Sequence, residues 1–320
     1  MRKLYVNLTN HGYDIIIEND LLNHLSDYIK EVYKNKEVYI ITDSNVGPLY
    51  LDKVTKNLEN DFIVKSVILE AGEQTKSFEG YQKLCEKLID LQIRRNQLLI
   101  ALGGGVIGDL TGFVAATIYR GVSYIGIPTS LLSQMDSSIG GKTGIDFYNR
   151  KNIIGAFKQP LRVLIDPKTL DTLPRCEFIN GMGELIKHGA IGNEKLLDLV
   201  KNNVSKITEE IIEESLKVKK SVVEIDEFDQ KERMFLNFGH TFGHIIELKY
   251  GYRHGEAVAI GMLMALKFGI DEGVTNPRCY NLSFTVVMLQ SEIIYWKIYI
   301  FSLFSFFFLR YATFYAIIVM

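Results

Sequence analysis

Up to about Asp166 the chain alternates short apolar or β-branched runs with segments of helical period. The runs fall at 38–41, 64–69, 98–102, 124–127 and 162–165, and a helical pattern such as 78–91 lies between them. Strands separated by helix-length segments cannot close as hairpins, so the alternation implies a mostly parallel sheet with helices on its faces. From about Pro167 to Gly273 the strand signal fades and amphipathic stretches at 195–204, 207–223 and 257–268 take over. An α/β Rossmann-like domain over 1–166 followed by a mainly helical domain over 167–274 is the expected organisation. The formal net charge of −2 gives no electrostatic reason to expect nucleic acid or an anionic membrane as partner. The three cysteines, Cys85, Cys176 and Cys279, are far apart and form no CxxC pair, which fits a reducing cytoplasm better than a disulfide framework. The N-terminus carries no apolar core of a secretory signal.

The last stretch, 275–320, breaks this composition. Residues 284–320 hold 12 of the 36 aromatics and only three charges, Glu292, Lys297 and Arg310. Residues 298–320 are long enough to span a bilayer, but Arg310 near their middle would cost about 2.5–3.5 kcal/mol. With no caps, period or turn signals organising it, the stretch reads better as a replaced C-terminus than as a membrane span.

Two glycine clusters carry chemistry. The run 98–102 enters Gly103-Gly104-Gly105-Val106-Ile107-Gly108-Asp109 and then a small-residue helix. Glycines there let a backbone approach a pyrophosphate, whose charge the first helical N–H groups attract. The cluster is not a strict GxGxxG and reads equally as a tight strand-to-helix turn. The second cluster, Gly140-Gly141-Lys142-Thr143, mimics a P-loop but has Asp136 where the first glycine belongs, which leaves Lys142 as an isolated cation on a flexible loop. Asp43 and the segment Gly72-Glu73-Gln74-Thr75-Lys76 follow strand runs, where ligands of parallel sheets bind and an acidic group can hold a ribose hydroxyl.

The sharpest chemical signal is histidine. Three of the six histidines, His240, His244 and His254, fall within 15 residues. His240 and His244 are four apart and share a helical face, while Thr241 removes the HExxH pattern of a metalloprotease. A carboxylate from elsewhere would complete a divalent-metal site, and Glu184, Lys187 and His188 share one helical face. Spacing leaves His244 as either a ligand or an acid/base group. Isolated His11, His24 and His188 read as ordinary hydrogen-bonded residues, and Lys219, Lys220 and Arg233 as a solvated helix face.

The segments 103–117, 128–132 (Pro128-Thr129-Ser130-Leu131-Leu132), 136–144, 151–160 (from Lys151-Asn152 to Gln159-Pro160) and 236–244, in this order and spacing, resemble 3-dehydroquinate synthase. The resemblance runs to about Gly273. It implies a Rossmann-like domain and a helical domain with NAD between them, and a homodimer. It places zinc, or cobalt, on Glu184, His240 and His254. It assigns Asp43, Glu73, Lys76, Gly104, Gly105, Asp109, Thr129, Ser130, Lys142, Lys151 and Thr172 to the NAD site. Substrate and catalytic roles go to Asp136, Lys142, Asn152, Lys187, Lys219, Arg233, Asn237 and His244, and Arg120 is implied to reach the neighbouring subunit's site.

The implied reaction converts 3-deoxy-D-arabino-heptulosonate 7-phosphate to 3-dehydroquinate and phosphate, in the shikimate pathway to the aromatic amino acids. A transient oxidation acidifies the adjacent C–H, phosphate is eliminated, the hydride returns and the ring closes, so NAD is regenerated. Nothing after Val274 resembles the family's further helices and late lysine, so a poorly stable and weakly active or inactive chain is expected. The alternatives are a metal-dependent polyol dehydrogenase and a cyclase for another sugar phosphate.

Overall fold

The computed structural model describes residues 1–290 other than 10, 149, 204 and 205. The N-terminal half contains β1 (Arg2–Val6), β2 (Tyr13–Ile17), α1 (Leu25–Val32), β3 (Glu37–Asp43), α2 (Gly47–Leu58), β4 (Ile63–Leu69), α3 (Phe78–Asp90), β5 (Leu98–Gly103), α4 (Gly105–Thr117) and β6 (Ser123–Pro128). A hairpin, β7 (Lys142–Phe147) and β8 (Arg150–Phe157), precedes β9 (Arg162–Ile165). One seven-stranded sheet has the order β1-β2-β9-β6-β5-β3-β4, and β7 pairs only with β8.

All five strand runs read from the sequence lie in this sheet as parallel neighbours. Strand β1 is the exception to the parallel rule. It pairs antiparallel with β2, because the short connection between them is too brief for a crossover.

Period-two alternation explains why both faces are covered. Along β3, Val38 and Ile40 point into one core with Val54 and Leu58 of α2. Tyr39 and Ile41 point into the opposite core with Leu84 of α3 and Leu110 of α4. From β3 the chain moves outward to β4, and from β5 it moves the other way to β6. The carboxyl ends of β3 and β5 therefore flank a topological switch point, where ligands of open α/β sheets bind. Asp43 and Gly103 end these two strands.

The second half is helical: α5 (Arg175–Gly192), α6 (Glu194–Asn202), α7 (Glu209–Ile225), α8 (His240–Tyr250), α9 (His254–Asp271) and α10 (Pro277–Gln290). A third core joins it to the sheet, with Val6, Ile15, Ile17 and Val163 packed among Leu185, Leu216 and Met262.

Two expectations are corrected here. Lys142 is not on a flexible loop but opens β7, paired with Phe157 of β8. Residues 275–290 are not an unorganised tail, because α10 packs against α5, α6 and α9. Its start signal is Asn276-Pro277, in which Asn276 Oδ1 accepts from Arg278 N at 2.9 Å and proline takes a first-turn position. Tyr280, Phe284 and the buried Ser283 and Val287 recur at helical spacing on the face turned to the core. No helix among the described residues is long and apolar enough to cross a membrane, and the two readings of 298–320 lie outside those residues.

Candidate active site

The site begins with glycines rather than with charged groups. A Cβ on Gly183 would lie 2.1 Å from the Gly255 carbonyl oxygen, and a Cβ on Gly255 would lie 1.8 Å from that of Asn180. Only glycine at both positions lets α5 and α9 cross this closely, and Asn180 Oδ1 ties the crossing by accepting from Gly255 N at 2.7 Å. Glu184 and His254 directly adjoin these glycines, so the crossing sets them face to face. Gly239, at φ 82°, turns the chain into α8 and presents His240 at its first residue.

Glu184 is 1% exposed. Its Oε1 lies 3.4 Å from His254 Nε2 and 3.6 Å from His240 Nε2. That oxygen accepts no hydrogen bond, and a buried carboxylate oxygen without a donor is costly unless a cation completes it. Oε2 pairs with Lys187 Nζ. Burial alone would raise the Glu184 carboxyl, but the Lys187 charge and the adjacent His254 ring outweigh it and hold it at about 2. Desolvation pulls the His240 imidazole down, which keeps a lone pair available near neutral pH. Burial also acts to lower His254, but the neighbouring carboxylates of Glu184 and Glu247 outweigh it and raise it to about 9.

Glu184, His240 and His254 therefore offer one carboxylate and two imidazole donors with all ligand atoms within 4.8 Å of one another. This donor set suits a catalytic zinc or a similar divalent ion. His244 stands exposed at the rim, its ring 5.3 Å from that of His240 and 6.0 Å from that of His254.

A second polar cluster adjoins the first. Asp136, in a π-helical turn over Ser133–Ser137, accepts from Lys219 Nζ at 2.6 Å. His188 is wholly buried, with Nδ1 2.7 Å from Ser215 Oγ and Nε2 3.6 Å from Asp136 Oδ1. Burial works against the Asp136 charge, and the Lys219 and Lys187 ammonium groups outweigh it and hold the carboxyl well below its usual range. Arg233, 3% exposed, donates to the carbonyls of Gly140 at 3.1 Å and Glu227 at 2.9 Å. Lys219 and Arg233 are thus buried parts of the site, which overturns their reading as a solvated helix face. Lys220 keeps that reading through its pair with Glu224. His188 keeps its reading as a hydrogen-bonded residue, buried against Ser215 with Nε2 turned towards Asp136. Lys142 pairs with Asp229, Asn152 is exposed at φ 55°, and Asn237 is exposed at the end of the turn that leads into α8.

The glycine loop lies on the other side of Asp136. Gly104 caps α4, and a Cβ on Gly105 would sit 3.1 Å from the hydroxyl of Ser137, next to Asp136. A cavity here is lined by Gly104, Gly108, Asp109, Ser133, Lys142 and Thr143. Thr129 N donates to the Gly103 carbonyl at 3.0 Å, and Ser130 Oγ lies 2.9 Å from Ser133 Oγ.

Buried Lys76 gathers Asp109 at 3.0 Å, Glu73 at 3.2 Å and Asp146 at 3.8 Å. Desolvation lifts Asp109 to about 6 despite Lys76. Asp43 Oδ1 accepts from Asn45 N and Val46 N at 2.8 and 2.9 Å, so this carboxylate shapes the loop into α2. Thr172 is exposed against the Tyr50 hydroxyl, and Arg120 is exposed in the turn after α4 at φ 61°.

Sequence reasoning missed Glu247. Its Oε2 lies 3.1 Å from His254 Nδ1 and its Oε1 accepts from Lys151 Nζ at 2.8 Å. The signal was present in the helical period, because Glu247 lies seven residues after His240 on the face of α8 that carries His244.

Comparison with known proteins shows the family to which this fold belongs. The family model for the 3-dehydroquinate synthase N-terminal domain matches residues 66–180, and that for the C-terminal domain matches 181–293, past the point where the quoted motifs end. The chain is 46% identical over 288 residues to 3-dehydroquinate synthase of Clostridium botulinum, covering 87% of this chain and 82% of that protein. It is 47% identical over 285 residues to the Clostridium perfringens protein of the same name, covering 86% and 81%. Among solved structures, 2-deoxy-scyllo-inosose synthase complexed with carbaglucose-6-phosphate, NAD+ and Co2+ superposes with a TM-score of 0.83 at 23% identity, over 91% of this chain and 82% of that one. An iron-containing alcohol dehydrogenase shares the fold more loosely, with a TM-score of 0.61 at 14% identity over 87% and 84%. On these matches the chain belongs to the 3-dehydroquinate synthase family.

Proposed function

We propose that this chain converts 3-deoxy-D-arabino-heptulosonate 7-phosphate to 3-dehydroquinate and phosphate, using NAD+ and a divalent metal ion, zinc or cobalt. The observation that carries the reading is the bare, buried Oε1 of Glu184 facing the Nε2 atoms of His240 and His254. A divalent ion held by these three residues supplies Lewis-acid polarisation of substrate hydroxyls, and NAD+ at the glycine loop supplies the hydride acceptor and its return.

The chain's own groups do the rest. Lys142, Asn152, Lys187, Lys219 and Arg233 are the donors that bind a phosphate and a carboxylate by charge-assisted bonds. Lys219 is held by Asp136, which lies 3.6 Å from the buried His188 imidazole. His244, exposed beside the two imidazoles, moves a proton at the substrate, and Asn237 orients it. Gly104 and Gly105 admit the pyrophosphate to the start of α4, while Asp43, Glu73, Lys76, Asp109, Thr129, Ser130, Lys151 and Thr172 frame the nucleotide. The protein acts as a homodimer in which exposed Arg120 reaches the neighbouring site, and its three free cysteines suit a reducing cytoplasm.

The test is phosphate release from the heptulosonate 7-phosphate with substoichiometric NAD+ and added Zn2+ or Co2+. The expected result is phosphate without net NADH, lost in Glu184→Ala. Net NADH from a polyol without phosphate would replace this reading with a dehydrogenase. Turnover of an uncarboxylated sugar phosphate alone would replace it with another cyclase.

A further inference from the structure

Glu247 stands outside the ligand trio and touches one of its members. The two nitrogens of an imidazole face opposite edges of the ring, and His254 presents Nε2 to Glu184 at 3.4 Å and Nδ1 to Glu247 at 3.1 Å. The other oxygen of Glu247 accepts from Lys151 Nζ, on β8 of the hairpin, at 2.8 Å. We propose that Glu247 is a positioning residue for the metal centre. It accepts the Nδ1 proton of His254, which fixes the tautomer whose Nε2 lone pair faces Glu184, and it links that imidazole to Lys151 of the hairpin.

Outer carboxylates of this kind orient ligating imidazoles and set which nitrogen carries the proton. Because His240 opens α8 and Glu247 lies on the same helical face, one rigid element carries both a ligand and the carboxylate that orients its partner ligand. Glu247 could itself form a trio with His244 and His254. An ion there would use His254 Nδ1, compete with Lys151 for Glu247, and leave the bare oxygen of buried Glu184 uncompleted. The geometry therefore favours Glu247 as orienter rather than ligand.

This inference rests on the metal reading proposed above, and the experiment separates the two. Full-length protein stripped of metal is titrated with Zn2+ against a chromophoric chelator, and its Co2+ form is followed by visible absorption. Wild type is expected to bind one ion and Glu184→Ala none, and wild type failing to bind overturns both readings. Glu247→Ala is expected to weaken Zn2+ binding about 10–100-fold without moving the Co2+ bands. Glu247→Gln, whose amide oxygen still accepts from Nδ1, is expected to recover most of that loss. Unchanged affinity in Glu247→Ala overturns the inference alone, and so does a shifted Co2+ spectrum, which would make Glu247 a ligand. A proton–nitrogen-15 correlation of the His254 ring in the wild-type zinc form needs no variant. A protonated Nδ1 supports the inference, and coordination through Nδ1 overturns it.

Discussion

Replacing Gly183 by alanine tests whether the close crossing of α5 and α9 makes the site. The added Cβ would lie 2.1 Å from the Gly255 carbonyl oxygen and 2.7 Å from its Cα, where real Cβ atoms essentially never come within 3.0 Å. Both obstacles are backbone, so no rotamer relieves them, and the helices must part by about 1 Å. Overpacking of this kind costs about 1–3 kcal/mol. Without metal the crossing can open and shed part of that strain. A bound ion has to pull Glu184 and His254 together again, so the strain is subtracted from binding. Zn2+ affinity should fall about tenfold or more, since about 1.4 kcal/mol corresponds to a factor of ten. The melting temperature of the zinc form should fall by roughly 2–10 °C. Chelator competition and thermal melting with and without Zn2+ measure both. Wild-type affinity together with a wild-type melting curve would refute the argument that glycine spacing holds the ligands together.

Glu184→Gln removes the partner of Lys187, which is 2% exposed. A buried pair broken on one side typically costs about 3–5 kcal/mol, so denaturant unfolding should show a large loss, and the double change Glu184→Met with Lys187→Met should recover much of it. A Cβ on Gly108 meets nothing within 4 Å. Gly108→Ala should therefore keep or gain about 0.4–1 kcal/mol of stability and leave Zn2+ affinity unchanged, while weakening NAD+ binding by narrowing the cavity beside Asp109, as read by calorimetry. Asp226 accepts from the backbone N–H groups of Gln230, Lys231 and Arg233, which hold its pKa at about 2 against an ordinary 3.8. A depressed carboxyl stabilises the fold above its unfolded value and loses that contribution as pH falls through the folded one. Acid unfolding between pH 4 and 2 should therefore be less steep in Asp226→Asn. Val287, 2% exposed in the core, should lose about 1.5–3 kcal/mol as alanine by denaturant melt if α10 is part of the fold.

Much of the architecture was legible because it repeats. The runs at 38–41 and 98–102 are apolar on both faces, the mark of a strand covered on both sides, and the helical stretches at 207–223 and 257–268 carry a 3.6-residue period that survives any neighbour. The hairpin over 142–157 was not legible. Its glycines and Lys142 look like a phosphate loop, and only pairing of the two strands shows them to be sheet. The start of α10 was written as Asn276-Pro277 but was hidden by the apolar composition that follows it.

What the sequence determined by itself is the inventory and its local geometry: a parallel sheet, a glycine turn at the end of β5, and His240 and His244 on one face of a helix. Residue chemistry offered Glu184 and His254 as candidate partners and the family resemblance named them as ligands, but spacing along the chain could not bring residues 184, 240 and 254 together. Tertiary structure decided that, through the crossing at Gly183 and Gly255. It also decided the charge states, burying Lys187, Lys219 and Arg233 where a helical wheel would leave them in water. The physical reason is range. Propensity and periodicity act within a few turns of chain, whereas desolvation and ligand convergence depend on which distant backbones can touch, and here glycine controls that contact.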